Sequence, residues 1–291
     1  MNVPDGHLGK MNSTRAESAA RSTPVVARLA RNAAWNFEQW FLALARPPRA
    51  KYARPSALAA AAVVVTLVVI VASMFLIDAT VVDWAGHEPN WVRDLFERVT
   101  DFGLSGWFLF PSGFLLLTLA ALNAPGLTRL TQGVLAMLAA RFGFLFLAIG
   151  LPGLFVAIVK RLIGRARPYV GGHIDPFAYR PFVWKPEYAS MPSGHATTAV
   201  AAALAIGAIW PRTRLIMWLY AVTIVVSRVA VLAHHVSDVI AGALVAAVGV
   251  YLIRRWFAAR RLVFRPEGLQ ACPAPSPRRI ATALREAIFR L

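Results

Sequence analysis

The sequence predicts an all-α integral membrane protein: a six-transmembrane-helix bundle with short interfacial helices. Three observations predict it. The chain is 58% hydrophobic and 15% charged, with a mean hydropathy of +0.56. That is too apolar for an ordinary soluble domain. Uncharged apolar runs recur at close to the ~20 residues a hydrocarbon core requires. The cations lie mostly outside those runs: residues 1–56 hold nine Lys/Arg and residues 254–291 hold nine more. Basic blocks flanking apolar spans fit anionic lipid headgroups. The net charge of +17 therefore does not imply nucleic acid, which would need its cations gathered on one folded face. A single cysteine, Cys272, excludes an internal disulfide framework and a cysteine-built zinc cage.

The elements follow in order. Residues 1–33 are polar and read as a disordered cytoplasmic tail. Residues 34–45 carry Trp35, Phe37, Trp40 and Phe41 at near-helical spacing, then Arg46, Arg49, Lys51 and Arg54. They predict an amphipathic helix lying on an anionic surface. The first span covers 57–77. Residues 78–103 are acidic, with Asp78, Asp83, Glu88, Asp94, Glu97 and Asp101. Within them 91–99 has the period of a surface helix. The second span runs over 107–122. The third covers 135–159; Arg141 snorkels from one end, and Gly150, Pro152 and Gly153 predict a kink. The fourth, 193–210, is short and rich in alanine, which suits close helix packing. The fifth and sixth are 213–233 and 237–256. The expected organisation is thus a basic cytoplasmic tail (1–56), a six-helix membrane domain (57–256) and a basic cytoplasmic tail (257–291).

Charge bias orients the bundle with both termini cytoplasmic and the acidic 78–103 segment outside. One outer loop breaks the rule. Residues 160–192 carry Lys160, Arg161, Arg165, Arg167, Arg180 and Lys185. A basic cluster on the outer side needs another reason, and an anionic ligand supplies one.

Three polar clusters sit at outward ends of spans, so they can meet at one depth. Lys160 and Arg167 are seven residues apart, which places them on one face if the helix continues to Pro168. Arg228 is a third cation. Such a set suits a phosphoryl group, whose oxygens accept forked hydrogen bonds. Pro192-Ser193-Gly194-His195 opens the fourth span. Ser193 is an N-cap candidate, and the Gly194 amide with the positive helix end attracts an anion. His234 and Asp238 are four apart, so they are neighbours if helical. The carboxylate would hold one ring nitrogen and leave the other as nucleophile. His195 is then the acid for a departing alkoxide. Arg161 and Arg165 read as headgroup anchors, and His235 as structural. A metal is not expected, because cations crowd the only histidine and carboxylate donors.

Lys160-x6-Arg167-Pro168, Pro192-Ser193-Gly194-His195 and Ser227-Arg228-x5-His234-x3-Asp238 resemble the three-part signature of the type 2 phosphatidic acid phosphatase superfamily. Every specified position is filled, in order. The resemblance implies His234 as the phosphoryl-accepting nucleophile, Asp238 as its orienting partner and His195 as general acid, then base. It implies Lys160, Arg167, Arg228, Ser193 and the Gly194 amide as the phosphate clamp. It implies no metal and no cofactor, a lipid phosphate as substrate, and a site at the outer face of a bacterial inner membrane. A lipid phosphotransferase using the same residues, or a membrane transporter or scaffold with a relic site, is the alternative. Phosphatidic acid, phosphatidylglycerophosphate, polyprenyl pyrophosphate and phosphorylated lipid A all fit the chemistry.

Overall fold

A computed structural model describes residues 24–50, 56–267 and 269–290. Within them the chain forms α1 (Val25–Ala45), α2 (Ala57–Leu76), α3 (Asp78–Gly86), α4 (Asn90–Thr100), α5 (Gly106–Leu122), α6 (Arg129–Ile163), α7 (Gly194–Ile209), α8 (Arg214–Ala230), α9 (Val236–Ala259) and α10 (Pro277–Phe289). The expected disordered tail lies outside the described residues up to position 23. Its remainder is helical, because α1 begins at Val25 rather than near 34.

Among the described residues, five segments are long and apolar enough to cross a membrane: Ala57–Leu76, Asn90–Leu122, Arg129–Ile163, Pro211–Ala230 and Val236–Ala259. The expected fourth span, α7, has 16 residues, about 24 Å at 1.5 Å per residue. A count of six therefore hangs on a helix shorter than a full hydrocarbon core. Burial sets α7 apart from the rest. Twelve of its residues are buried, whereas α2 turns Leu58, Val64, Val65, Val68 and Phe75 outward. An apolar outer face is what lipid contact demands of α2. Small side chains along α7 let its neighbours come close instead.

The chain divides into two compact units. One comprises Met1–Ala45, Leu116–Ala139 and Ala274–Leu291. Its fixed points are polar. Asn36 is buried, and its amide donates to the carbonyls of Ala120 (2.9 Å) and Asn123 (2.6 Å), while Asn123 donates back to Asn36 Oδ1 at 2.8 Å. Glu286 on α10 accepts from the Thr128 amide at 2.9 Å and from the hydroxyls of Thr128 and Thr131 at 2.9 and 2.5 Å. Those bonds, the Thr131 hydroxyl first, hold its carboxyl below the usual glutamate range.

The other unit comprises Arg46–Leu115 and Ala140–Pro273 and contains all three polar clusters. In it α7 packs between α8 and α9, α9 also packs on α2, and α4 packs on α8. Gly242 makes the α7–α9 approach possible. A Cβ there would lie 2.5 Å from the Ser193 carbonyl oxygen. The Thr197 hydroxyl bridges the two helices, 2.8 Å from Ser193 O and 3.0 Å from Gly242 O. Arg141 does not snorkel. It is 3% exposed, and its guanidinium donates to the carbonyls of Cys272 (2.7 Å) and Pro273 (3.0 Å). Nearby Phe144 packs edge-on against Phe257 and Phe264, an arrangement that suits ring quadrupoles.

Candidate active site

Backbone hydrogen bonds tie the three clusters together. The Ser193 amide donates to the Asp238 carbonyl at 3.0 Å, and the Ser190 amide donates to the Arg165 carbonyl at 3.1 Å. The Arg167 amide donates to the Glu187 carbonyl at 2.8 Å. Segments 164–168, 187–195 and 228–238 are thereby one construction.

Lys160 stands in the last turn of α6, but Arg167 does not share its helix. The helix ends at Ile163, and Gly164 takes φ +65°, the left-handed stop that glycine supplies at helix C-termini. A Cβ on Gly164 would lie 1.9 Å from the Arg180 carbonyl oxygen. So the expected shared helix face is replaced by a sharp turn. The turn still leads Arg167 back to the segment that enters α7, where its amide meets the Glu187 carbonyl. Arg228 is 7% exposed, and its Nη1 donates to the Thr100 hydroxyl at 2.7 Å. The Nε atoms of Arg167 and Arg228 are buried without a hydrogen-bond partner among the described residues. Buried donors left over in this way suit an acceptor-rich anion. Burial, only partly offset by Asp238 and Glu187, holds Arg167 below the usual arginine value.

Ser193 is the N-cap of α7; its Oγ accepts from the Ala196 amide at 3.5 Å. Gly194 and His195 are the first two residues of the helix, where amides have no intrahelical carbonyl to meet. Gly194 faces open space, with nothing among the described residues within 4 Å of the place a Cβ would occupy. His195 is set by Gly103 at the end of the 3₁₀ turn Asp101–Gly103. A Cβ on Gly103 would lie 3.0 Å from His195 Cδ2 and 2.7 Å from Ile224 Cγ2. Gly103→Ala should therefore displace the imidazole. We expect kcat to fall by about 10²-fold for a stability loss of about 1–3 kcal/mol. A well-folded variant with unchanged kcat would show that His195 does not need this position.

His234 and Asp238 are neighbours, though not along a helix. The chain leaves α8 at Ala230 and turns, so that the Ala233 and His234 amides both donate to the Arg228 carbonyl at 3.2 Å. His235 is the N-cap of α9, and Asp238 is its N3 residue. Asp238 Oδ2 accepts from the His235 amide at 2.9 Å, half of a capping box. His234 is 3% exposed, with Nδ1 3.7 Å from Asp238 Oδ2. That is beyond a hydrogen bond. Burial drives the His234 ring down to about 4, against the opposing pull of Asp238, which keeps it neutral at ordinary pH.

Sequence reasoning missed four residues that shape this site. Arg165, expected as a headgroup anchor, is fully buried. Its Nη1 donates to Asp238 Oδ1 (2.6 Å) and Ser237 Oγ (2.6 Å), its Nη2 to Asp78 Oδ2 (2.8 Å), and its Nε to the Pro176 carbonyl (2.9 Å). Asp78, read only as part of an acidic outer segment, is also fully buried. It accepts from the Ser237 amide (2.9 Å) and hydroxyl (2.5 Å) as well. Ser190 Oγ donates to Asp238 Oδ2 at 2.6 Å and lies 3.5 Å from His234 Nδ1. Thr100 anchors Arg228. The glycine at 164 was a readable helix stop; the long-range pairings carried no local signal. Among the described residues, no group of three or more His, Cys, Asp or Glu is arranged to hold a metal.

Apolar helices of spanning length, together with the relatives that the chain resembles, make it a membrane phosphatase, a phosphoric monoester hydrolase. The PAP2 superfamily matches residues 141–262 of the chain. Lipid A 1-phosphatases from Rhizobium johnstonii and Rhizobium etli are 34% and 35% identical to it over 182 residues. Those alignments cover 60% of this chain and 70% and 74% of the relatives. A solved transmembrane PAP2-type phosphatidylglycerolphosphate phosphatase from Bacillus subtilis aligns with 66% of this chain and 94% of its own, at 19% identity and a TM-score of 0.41. The chain belongs to the PAP2 superfamily.

Proposed function

We propose that this membrane phosphatase removes a terminal phosphate from a glycolipid of the lipid A type, through a phosphohistidine on His234. The observation that supports the chemistry is the pair of buried Nε donors of Arg167 and Arg228, without a partner among the described residues, on segments that backbone hydrogen bonds join to those of His195 and His234. The Rhizobium relatives carry the choice of substrate. The clamp cations and the Gly194 amide hold the phosphoryl oxygens, with Ser193 beside them. His234 Nε2 attacks phosphorus; the P–N bond forms as the P–O bond to the lipid breaks. His195 gives its proton to the leaving alkoxide. Water then attacks phosphorus, His195 takes a proton back, and the P–N bond breaks to release phosphate. The basic flanks favour cytoplasmic termini, which puts these span ends at the outer face.

The test is a panel of lipid phosphates given to the purified full chain in detergent: lipid A, phosphatidic acid, phosphatidylglycerophosphate and a polyprenyl pyrophosphate. We expect the highest kcat/KM for phosphate release from lipid A. A preference for a glycerolipid by tenfold or more would overturn the substrate assignment while leaving the chemistry intact. Release of phosphate from none of the four would overturn both.

A further inference from the structure

We infer that Ser190 is the residue that positions His234, by fixing its ring in the tautomer that leaves Nε2 bare, and that Arg165 with Asp78 presets Asp238 for this task. The inference deepens the proposed function and rests on His234 being the nucleophile.

The donor count around Nδ1 carries it. A serine hydroxyl has one hydrogen. Ser190 spends it on Asp238 Oδ2, at 2.6 Å. Its contact with His234 Nδ1, at 3.5 Å, can then only be one in which the ring donates. Asp238 Oδ2, 3.7 Å from the same nitrogen, is a carboxylate oxygen and likewise only accepts. Both groups facing Nδ1 are acceptors, so the proton of the neutral ring belongs on Nδ1 and the lone pair on Nε2. This is the form a phosphorus nucleophile needs.

Ser190 rather than Asp238 makes the nearer approach, because the carboxylate is occupied. Oδ2 already receives the Ser190 hydroxyl and the His235 amide, and Oδ1 receives Arg165 Nη1. Arg165 is pinned in turn by Asp78 and the Pro176 carbonyl. Ser190 itself is fully buried, and its amide is tied to the Arg165 carbonyl at 3.1 Å. One arginine between two aspartates leaves a formal net negative charge behind His234. That charge favours the positive ring formed when Nε2 takes the phosphoryl group and Nδ1 keeps its proton. Contacts at 3.5 Å are long for a hydrogen bond, and catalytic contacts of this kind tighten when the substrate is bound.

Ser190 is a positioning residue, so its test reads the ring as well as the rate. Full-length protein with ¹⁵N-labelled histidine, in detergent, should show His234 with an unprotonated Nε2 and a protonated Nδ1. Ser190→Ala should lose that single-tautomer signature and lower kcat by about 10²-fold, with KM changed less than about threefold. Ser190→Thr, which restores the hydroxyl, should recover both. A wild-type His234 protonated on Nε2 overturns the inference whatever the variants do. So does a Ser190→Ala protein with the wild-type tautomer and kcat. If His234→Ala retains phosphatase activity, the nucleophile reading fails, and the tautomer measurement still judges Ser190 by itself.

Discussion

His234→Ala should lower kcat for phosphate release by about 10⁴-fold or more, the scale on which losing a covalent nucleophile acts. The proposed clamp residues Lys160, Arg167 and Arg228 lie on other turns, and Arg228 keeps its bond to the Thr100 hydroxyl. Substrate should therefore still bind, and the loss should fall on kcat rather than on KM. Stability should suffer less than activity, because the polar contacts of Nδ1 among the described residues are long, at 3.5 and 3.7 Å. The wild-type protein, quenched during turnover of ³²P-labelled lipid, should carry an acid-labile label that the variant lacks. A variant with full activity, or a label that persists without His234, would refute the phosphohistidine route.

Arg165→Met should destabilise the protein by about 3–5 kcal/mol, the effect of removing one partner from a buried ion pair. The arginine and both carboxylates are wholly excluded from solvent. Without it, Asp78 and Asp238 become two uncompensated charges in the interior. Burial opposes the arginine's own charge, but Asp238 and Asp78 outweigh it and hold its pKa above the ordinary value. Arg165→Lys should rescue little. An ammonium cannot span Pro176, Ser237, Asp78 and Asp238 as a planar fork does. Adding Asp78→Asn to Arg165→Met should recover about 0.5–3 kcal/mol relative to additivity, since it removes one orphaned charge. Denaturant unfolding in detergent reads both. Strict additivity would mean that the two residues are not coupled, contrary to their 2.8 Å contact.

Much of this site is legible without coordinates because its chemistry is written at fixed local spacings. Lys160, Arg167, Ser193, Gly194, His195, Arg228, His234 and Asp238 can all be picked out by residue type at the ends of apolar runs. The geometric reasons attached to those spacings hold less well. A seven-residue gap aligns two side chains only on an unbroken helix, and Gly164 breaks it. A four-residue gap joins His234 to Asp238 across a turn and a cap instead of along one helix face. His234 and Asp238 still end 3.7 Å apart, by a route that helix periodicity does not describe.

By itself the sequence determined the membrane class, the position of the apolar runs and the residue types that phosphoryl transfer needs. Hydropathy and short-range spacing are local quantities, and each can be read within a window of some twenty residues. Tertiary structure alone decided that Arg165 is buried rather than anchored at a headgroup. It also decided that Asp78, 87 residues upstream, pairs with it, and that Ser190 meets both His234 and Asp238. The reason is desolvation. A charge can be buried only where another part of the chain brings it a partner, and the distance along the sequence to that partner is set by how helices pack, not by the residues on either side.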